Sequence, residues 1–395
     1  MALLNSEDNR LRDDFPPAFT DRVETPCYLI SEDVISRNCA ILDTVQQRTG
    51  ARVLLALKAF ALPGLFPLIA RTLHGVCASG PIEAQIGQED FGREVHTYAP
   101  AFSPAQMERV IRYSDHIIFN SIGQWHQHRQ AVLESGRRIE IGLRVNPGHS
   151  EVEVELYNPC RTGSRFGIAA EDLADTDLTG IDGLHFHALC EQNADVLVRV
   201  LASFEERFAE FLPGLKWVNF GGGHHITRDD YDLDLLIETV SSFRKRYNNI
   251  EVYLEPGEAV VLNGGVLVST VLDILHNSPT IAILDCSAET HMPDVLAMPY
   301  RPHIAGAGRP DELAHTYRLG GISCLAGDII GDYSFAAPLK AGDRLVLADM
   351  ALYSFVKNTT FNGVELPSIY SFSREGGSLN LLKKFGYRDY RSRLA

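Results

Sequence analysis

From residue 53 to about residue 256, short apolar runs alternate with longer amphipathic ones. The short runs are VLLALK (53–58), GVCAS (75–79), VHTYA (95–99), HIIFN (116–120), IGLRVN (141–146), GLHFHA (183–188), WVNFGG (217–222) and VYLEP (252–256). Their length and apolar content read as buried strands. Between them, Pro81–Gly92, Ser103–Arg112, Gln124–Ser135 and Gln192–Phe211 read as helices. Eight buried strands alternating with helices predict a parallel sheet, and eight is the number that closes a (β/α)8 barrel. A doubly wound open sheet is the alternative, but no GxGxxG follows the first strand.

Beyond about residue 260 the helical periods fade. VLVSTVLDIL (266–275), TIAILDCS (280–287) and DRLVLADM (343–350) are separated by turn signals such as Asn263-Gly264-Gly265. This change predicts a second, β-rich domain, a barrel or sandwich. The early run CYLIS (27–31) could join either domain; it is grouped with the second. The expected organisation is a barrel over 32–260 and a β domain made of 1–31 and 261–395.

Charge narrows the function classes. Lys and Arg total 36 against 51 Asp and Glu, a net charge of −15. That balance argues against a nucleic-acid binder, whose affinity comes largely from neutralising phosphates. Seven cysteines are scattered without a CxxC pair, so neither a disulfide framework nor a zinc site is expected, and a reducing cytoplasm is. The N-terminal segment MALLNSEDNRLRDDF is acidic and lacks a signal peptide's basic region and apolar core. Val53–Ala70 nearly reaches membrane-helix length, but Lys58, Pro63 and Pro67 interrupt it. It reads as a buried strand, a turn and a helix.

Polar residues gather at the C-terminal ends of the predicted strands: Lys58, Ser79, Asn120, Arg144, Asn146, His185, His187, Gly221 to Gly223 and Glu255. In such barrels that end is the catalytic face. Lys58 lies in the apolar context LLALKAF, where desolvation would lower an ammonium's pKa and make the amine nucleophilic toward an aldehyde; reaching out to solvent is the plain alternative. Three consecutive glycines offer bare N–H groups to an anion such as phosphate, or simply make a tight turn. Glu255 could hold a proton on a ring nitrogen, or form a salt bridge. His185 and His187 share a strand face, which suits a metal-dependent barrel hydrolase, although no strand-end Asp or further His completes a cage. Stacking of His187 on an aromatic ring and a core role for His185 explain the pair as well.

Eight segments resemble one enzyme family: LALKAFALPGLF, ASGPIEAQIG, GLHFHALCEQ, NFGGGHHIT, LEPGEAVV, AETHMPDVLAMPYRP, YRLGGISCLAGDIIG and FNGVELPSIY. They are similar to the pyridoxal-phosphate enzymes of the alanine-racemase and ornithine-decarboxylase fold, and within it to the carboxynorspermidine and carboxyspermidine decarboxylases. The likeness runs from about residue 25 to 370. It implies pyridoxal 5'-phosphate as cofactor, a carboxylated polyamine as substrate, and a cytoplasmic homodimer with shared active sites. Carried over residue by residue, it makes Lys58 the Schiff-base lysine and His187 the ring-stacking histidine. Gly221, Gly222, Gly223 and Tyr353 go to the cofactor phosphate, and Glu255 to the pyridine nitrogen. Cys324 matches a cysteine that reaches the active site from the partner subunit, and Asp328 an acid that follows it.

Two departures from the wider fold stand out. Related decarboxylases read EPGR where this chain has Glu258. A carboxylate beside a phosphate is repelled, so Glu258 is expected to turn toward a cationic substrate group, with Asp294 as a second anionic contact. Leu325 follows Cys324 where relatives carry aspartate, which leaves open whether Cys324 or Lys58 returns a proton to the substrate. A diaminopimelate or ornithine decarboxylase is the rival within the fold.

Overall fold

The computed structural model describes residues 6–174 and 176–395. Residues 1–5 of the N-terminal segment read above lie outside the described residues. Two compact units divide the chain: Ser36–Val260, and Met1–Ile35 together with Val261–Ala395.

The first unit holds the eight parallel strands. Counting Cys27–Ser31 of the other unit as β1, they are β2 (Arg52–Ala56), β3 (Gly75–Ala78), β4 (Glu94–Tyr98), β5 (His116–Phe119), β6 (Glu140–Arg144), β7 (Gly183–His185), β8 (Trp217–Asn219) and β9 (Glu251–Leu254). They pair in sequence order and close where β9 meets β2, Arg52 opposite Tyr253. Every strand ends earlier than its apolar run. The missing tails carry Lys58, Ser79, Asn120, Asn146, His187, the glycines and Glu255, which leave the ladder to form loops on the C-terminal face, while Arg144 and His185 are the last residues of β6 and β7. Val53–Ala70 becomes β2, a turn, and short helical segments at Pro63–Leu65 and Phe66–Ile69. No helix among the described residues is long and apolar enough to cross a membrane.

Trp217 fills the barrel interior beside Leu54, Ile118 and Tyr253. It fits because its neighbours on β6 and β7 have no side chain. A Cβ at Gly142 would lie 2.3 Å from the indole, and one at Gly183 would lie 2.1 Å from it.

The second unit is a nine-stranded mixed sheet. It contains β1, β10 (Gly265–Leu275), β11 (Ile281–Leu284), β12 (Ala307–Gly308), β13 (His315–Gly320), β14 (Ile329–Phe335), β15 (Arg344–Leu347), β16 (Ser368–Ser373) and β17 (Ser378–Lys383). The spatial order is β12-β14-β13-β11-β10-β1-β16-β17, with β15 on β10. CYLIS thus lies in this sheet, antiparallel to β10 and parallel to β16. Cys27, Leu29, Val266, Val268 and Phe372 form its core with Leu11 and Phe15.

Candidate active site

At the C-terminal ends of β7, β8 and β9, one hydrogen-bonded network joins residues from three strand–loop junctions. Asn219, the last residue of β8, is fully buried. Its Nδ2 donates to Glu255 Oε1 at 2.7 Å, and its Oδ1 accepts from the Gly221 N–H at 2.8 Å. The Gly222 N–H donates to His187 Nδ1 at 2.9 Å, and the Glu255 N–H to the Gly221 carbonyl at 2.8 Å. The glycine run is packed where side chains cannot go. A Cβ at Gly222 would lie 2.2 Å from the Glu255 carbonyl, and one at Gly223 would lie 2.0 Å from that of Leu189. Two of the three N–H groups expected to bind an anion are therefore spent inside the protein. The Gly223 N–H has no such use among the described residues.

Burial raises the Glu255 carboxyl, but His185 and the Asn219 donor outweigh it and hold the group ionised, well below the ordinary range. His185 Nε2 stands 3.4 Å from Glu255 Oε2. Burial, with Lys58 among the charges acting beside it, keeps the His187 imidazole well below its ordinary value and so neutral. Its ring is half-buried. Lys58 itself lies in the turn after β2 and is exposed, between buried Leu57 and Ala59. The enclosure expected from its apolar context is not seen, because the neighbours point inward and the lysine outward. Its charge also acts on Glu83, Cys77 and His185, so Lys58, His187 and Glu255 share one neighbourhood.

The other strand-end residues mostly shape loops. Asn120 Oδ1 accepts from Tyr98 Oη and the Gly167 N–H, each at 2.8 Å. Asn146 caps the Gly148 N–H, and Ser79 donates its N–H to Glu83. Arg144 is buried between the rings of Tyr98 and Phe166, 4.6 and 4.4 Å from their centres, and donates to the His187 carbonyl.

Three expected substrate contacts already have protein partners. Glu258 accepts from His225 Nε2 at 3.0 Å, and Asp294 is paired with Lys357. Asp328 is 3% exposed, and both its oxygens are engaged. Oδ1 accepts the N–H groups of Ala288 and Glu289 at 2.7 and 3.2 Å, and Oδ2 accepts Ser287 Oγ and the Ser323 N–H at 2.8 and 3.0 Å. That carboxylate anchors the 321–328 loop. Cys324 is exposed on the same loop, its N–H held by Asn362 Oδ1 at 2.7 Å. Tyr353 has a positive φ of 54° and its ring lies 5.3 Å from the Lys357 ammonium. Sequence reasoning did not single out Asn219, His225 and Asn362. Only Asn219 had a signal, a polar residue closing an apolar strand before the glycines.

His185 and His187 gather no third ligand among the described residues. The group of metal-binding residue types that does converge there is Glu94, His96 and His116, at the opposite, N-terminal end of the barrel. The imidazoles of His96 and His116 stack face to face, 3.9 Å apart and 11° from parallel. One ion cannot lie in both ring planes, where the nitrogen lone pairs point. Glu94 is also occupied by His74, His96 and Arg52. This is a polar plug for the barrel floor.

Residues 27–351 match the family model of the pyridoxal-dependent decarboxylase, C-terminal sheet domain. The chain is 44% identical to a carboxyaminopropylagmatine decarboxylase from Synechocystis sp., over 94% of this chain and 95% of that one. It is 43% identical to a carboxynorspermidine/carboxyspermidine decarboxylase from Campylobacter jejuni, over 94% and 99%. A crystal structure of carboxynorspermidine decarboxylase from Campylobacter jejuni complexed with norspermidine superposes with a TM-score of 0.87 at 41% identity, covering 94% of this chain and 100% of that one.

Proposed function

Because the chain belongs to the pyridoxal-dependent decarboxylases, we propose that it releases CO2 from a carboxylated polyamine of the carboxynorspermidine or carboxyspermidine type. The observation that carries this reading is the network tying a half-buried, ionised Glu255 through Asn219 to the glycine run, which in turn holds His187. Those residue types fit pyridoxal phosphate: an amine at a strand end, a neutral imidazole face, a carboxylate for a ring nitrogen and a bare N–H for phosphate. When bound, the cofactor supplies the sink for the electron pair left at Cα as CO2 departs.

The chain's own groups divide the remaining work. Lys58 carries the cofactor covalently through its amine. Glu255, kept ionised, holds a proton at the pyridine nitrogen, and His187 offers its ring face. The Gly223 N–H and Tyr353 serve the phosphate, while the Gly221 and Gly222 N–H groups hold Asn219 and His187 in place. Cys324 or Lys58 returns a proton to Cα, and Asp328 positions the loop that bears Cys324. Glu258 and Asp294 receive the cationic tail. Each already has a protein partner, so a substrate ammonium replaces or shares the place of His225 or Lys357. Seven unpaired cysteines suit a cytoplasmic enzyme, and Cys324 is assigned to the neighbour's site in a homodimer.

The decisive experiment measures CO2 release from carboxynorspermidine, carboxyspermidine, carboxyaminopropylagmatine, ornithine and diaminopimelate side by side. A carboxylated polyamine is expected to have the highest kcat/KM, and the same panel tells an ammonium tail from a guanidinium one. Preference for ornithine or diaminopimelate would overturn the reading. Lys58→Ala should lose both the yellow cofactor band and activity while keeping its fold. Mixed with inactive Cys324→Ala under subunit exchange, it should recover activity if the site is shared.

A further inference from the structure

His185 is 2% exposed, and neither of its ring nitrogens makes a hydrogen bond. A histidine kept only for packing has its nitrogens satisfied, and an unmet polar group in a core is costly unless something uses it. Nε2 stands 3.4 Å from Glu255 Oε2, just beyond a good hydrogen bond. Asn219 already holds the other oxygen. The groups around the imidazole limit what else it could serve. Tyr98 lies ring to ring at 5.7 Å, while Arg144 and Lys58 are cations that cannot accept its proton. Glu255 is the acceptor within reach.

We propose that His185 is a positioning residue for Glu255: a neutral imidazole whose Nε2–H secures Oε2 and thereby keeps the carboxylate, rather than the pyridine nitrogen, the proton-free member of the pair. The inference rests on the proposed role of Glu255. A small rotation of the imidazole closes the remaining distance. With both oxygens held by donors, Glu255 is a weaker base, and the shared proton resides on the cofactor ring. Without His185, the carboxylate keeps the Asn219 amide and the weakly donating Cys77 thiol, is more basic, and draws that proton toward itself. His185 has this influence without touching the cofactor. The strand supplies the geometry, since His185 and Asn219 are register partners on β7 and β8 and reach Glu255 from adjacent strands.

The test uses holoenzyme reconstituted with cofactor carrying 15N at the pyridine nitrogen, whose resonance separates protonated from unprotonated ring. Glu255→Gln marks the unprotonated limit. His185→Phe, flat and without a donor, should move the resonance part of the way to that limit. It should also weaken cofactor affinity roughly tenfold, as expected for losing a hydrogen bond to a charged group. His185→Asn, which keeps an N–H donor, should return most of the shift. Should His185→Phe fail to fold, His185→Leu carries the same comparison. If Glu255→Gln moves the resonance and the apolar His185 variants do not, His185 only fills space and the inference is wrong while the role of Glu255 stands. If Glu255→Gln itself moves nothing, both are overturned.

Discussion

Removing the Asn219 side chain should damage the barrel site more than any comparable change at its rim. In Asn219→Ala, Glu255 loses the 2.7 Å donor to Oε1 and the Gly221 N–H loses its 2.8 Å acceptor. The Asn219 side chain itself is fully buried, so water cannot readily replace the amide. A hydrogen bond to a charged group contributes about 1.5–3 kcal/mol, and an orphaned buried donor costs about 1–3 kcal/mol. Together they make a loss of roughly 3–5 kcal/mol. At about 2–4 °C per kcal/mol for a unit of 150–250 residues, thermal unfolding followed by circular dichroism should begin roughly 6–20 °C lower. Cofactor retention should fall in parallel, because Glu255 and the glycine run lose their common anchor. Asn219→Asp separates the two parts. It keeps an acceptor for Gly221 but sets a second carboxylate against Glu255. One of the two must then hold a proton in the folded state, so its folded pKa lies above the unfolded value. Its stability deficit relative to wild type should therefore be smallest below about pH 4 and grow as pH rises through the raised folded value, since raised carboxyl pKa values act in that direction. An Asn219→Ala protein that melts within about 2 °C of wild type, less than one such bond is worth, would refute the network as the core of the site.

Two further outcomes follow from paired groups. Burial lowers the His225 imidazole, but its bond and charge contact with Glu258 outweigh this and raise it above the ordinary value; the stabilisation is therefore complete below about pH 6.5 and lost as pH rises through the folded value, so Glu258→Gln should lower Tm at pH 6 by the equivalent of about 1–2 kcal/mol and have little effect near pH 9. Asp328→Asn leaves one acceptor oxygen for four donors and should cost about 2–4 kcal/mol, measured by thermal unfolding, with faster alkylation of Cys324 as its loop loosens.

Local pattern carried much of the architecture. The eight strand positions and the β character of the second part were legible because a buried strand advertises itself through its own residues: a short apolar run with a turn signal at each end. The polar residues at the strand ends were legible for the same reason, since each breaks an apolar run. Recognition of LEPGEAVV, NFGGGHHIT and their companions then supplied an activity that no spacing rule could have given.

What the residues do to one another depended on closure of the barrel and on the sheet. Glu258 meets His225 and Asp294 meets Lys357 across 33 and 63 residues of chain, so neither pairing is written in a local segment. Asp328, which in sequence is only an acid after a cysteine, turns inward because the N–H groups of Ser323, Ala288 and Glu289 converge there. The glycine run looked like a set of free donors until strand register brought Asn219 and His187 to two of them. Lys58 inherited apolar neighbours in sequence but not in space, because successive side chains of a turn face different ways. Sequence by itself determines where hydrophobic surface must be buried, since that term is summed over each residue's own side chain. Hydrogen bonds and ion pairs need two partners at a set distance, and only the folded chain decides who those partners are.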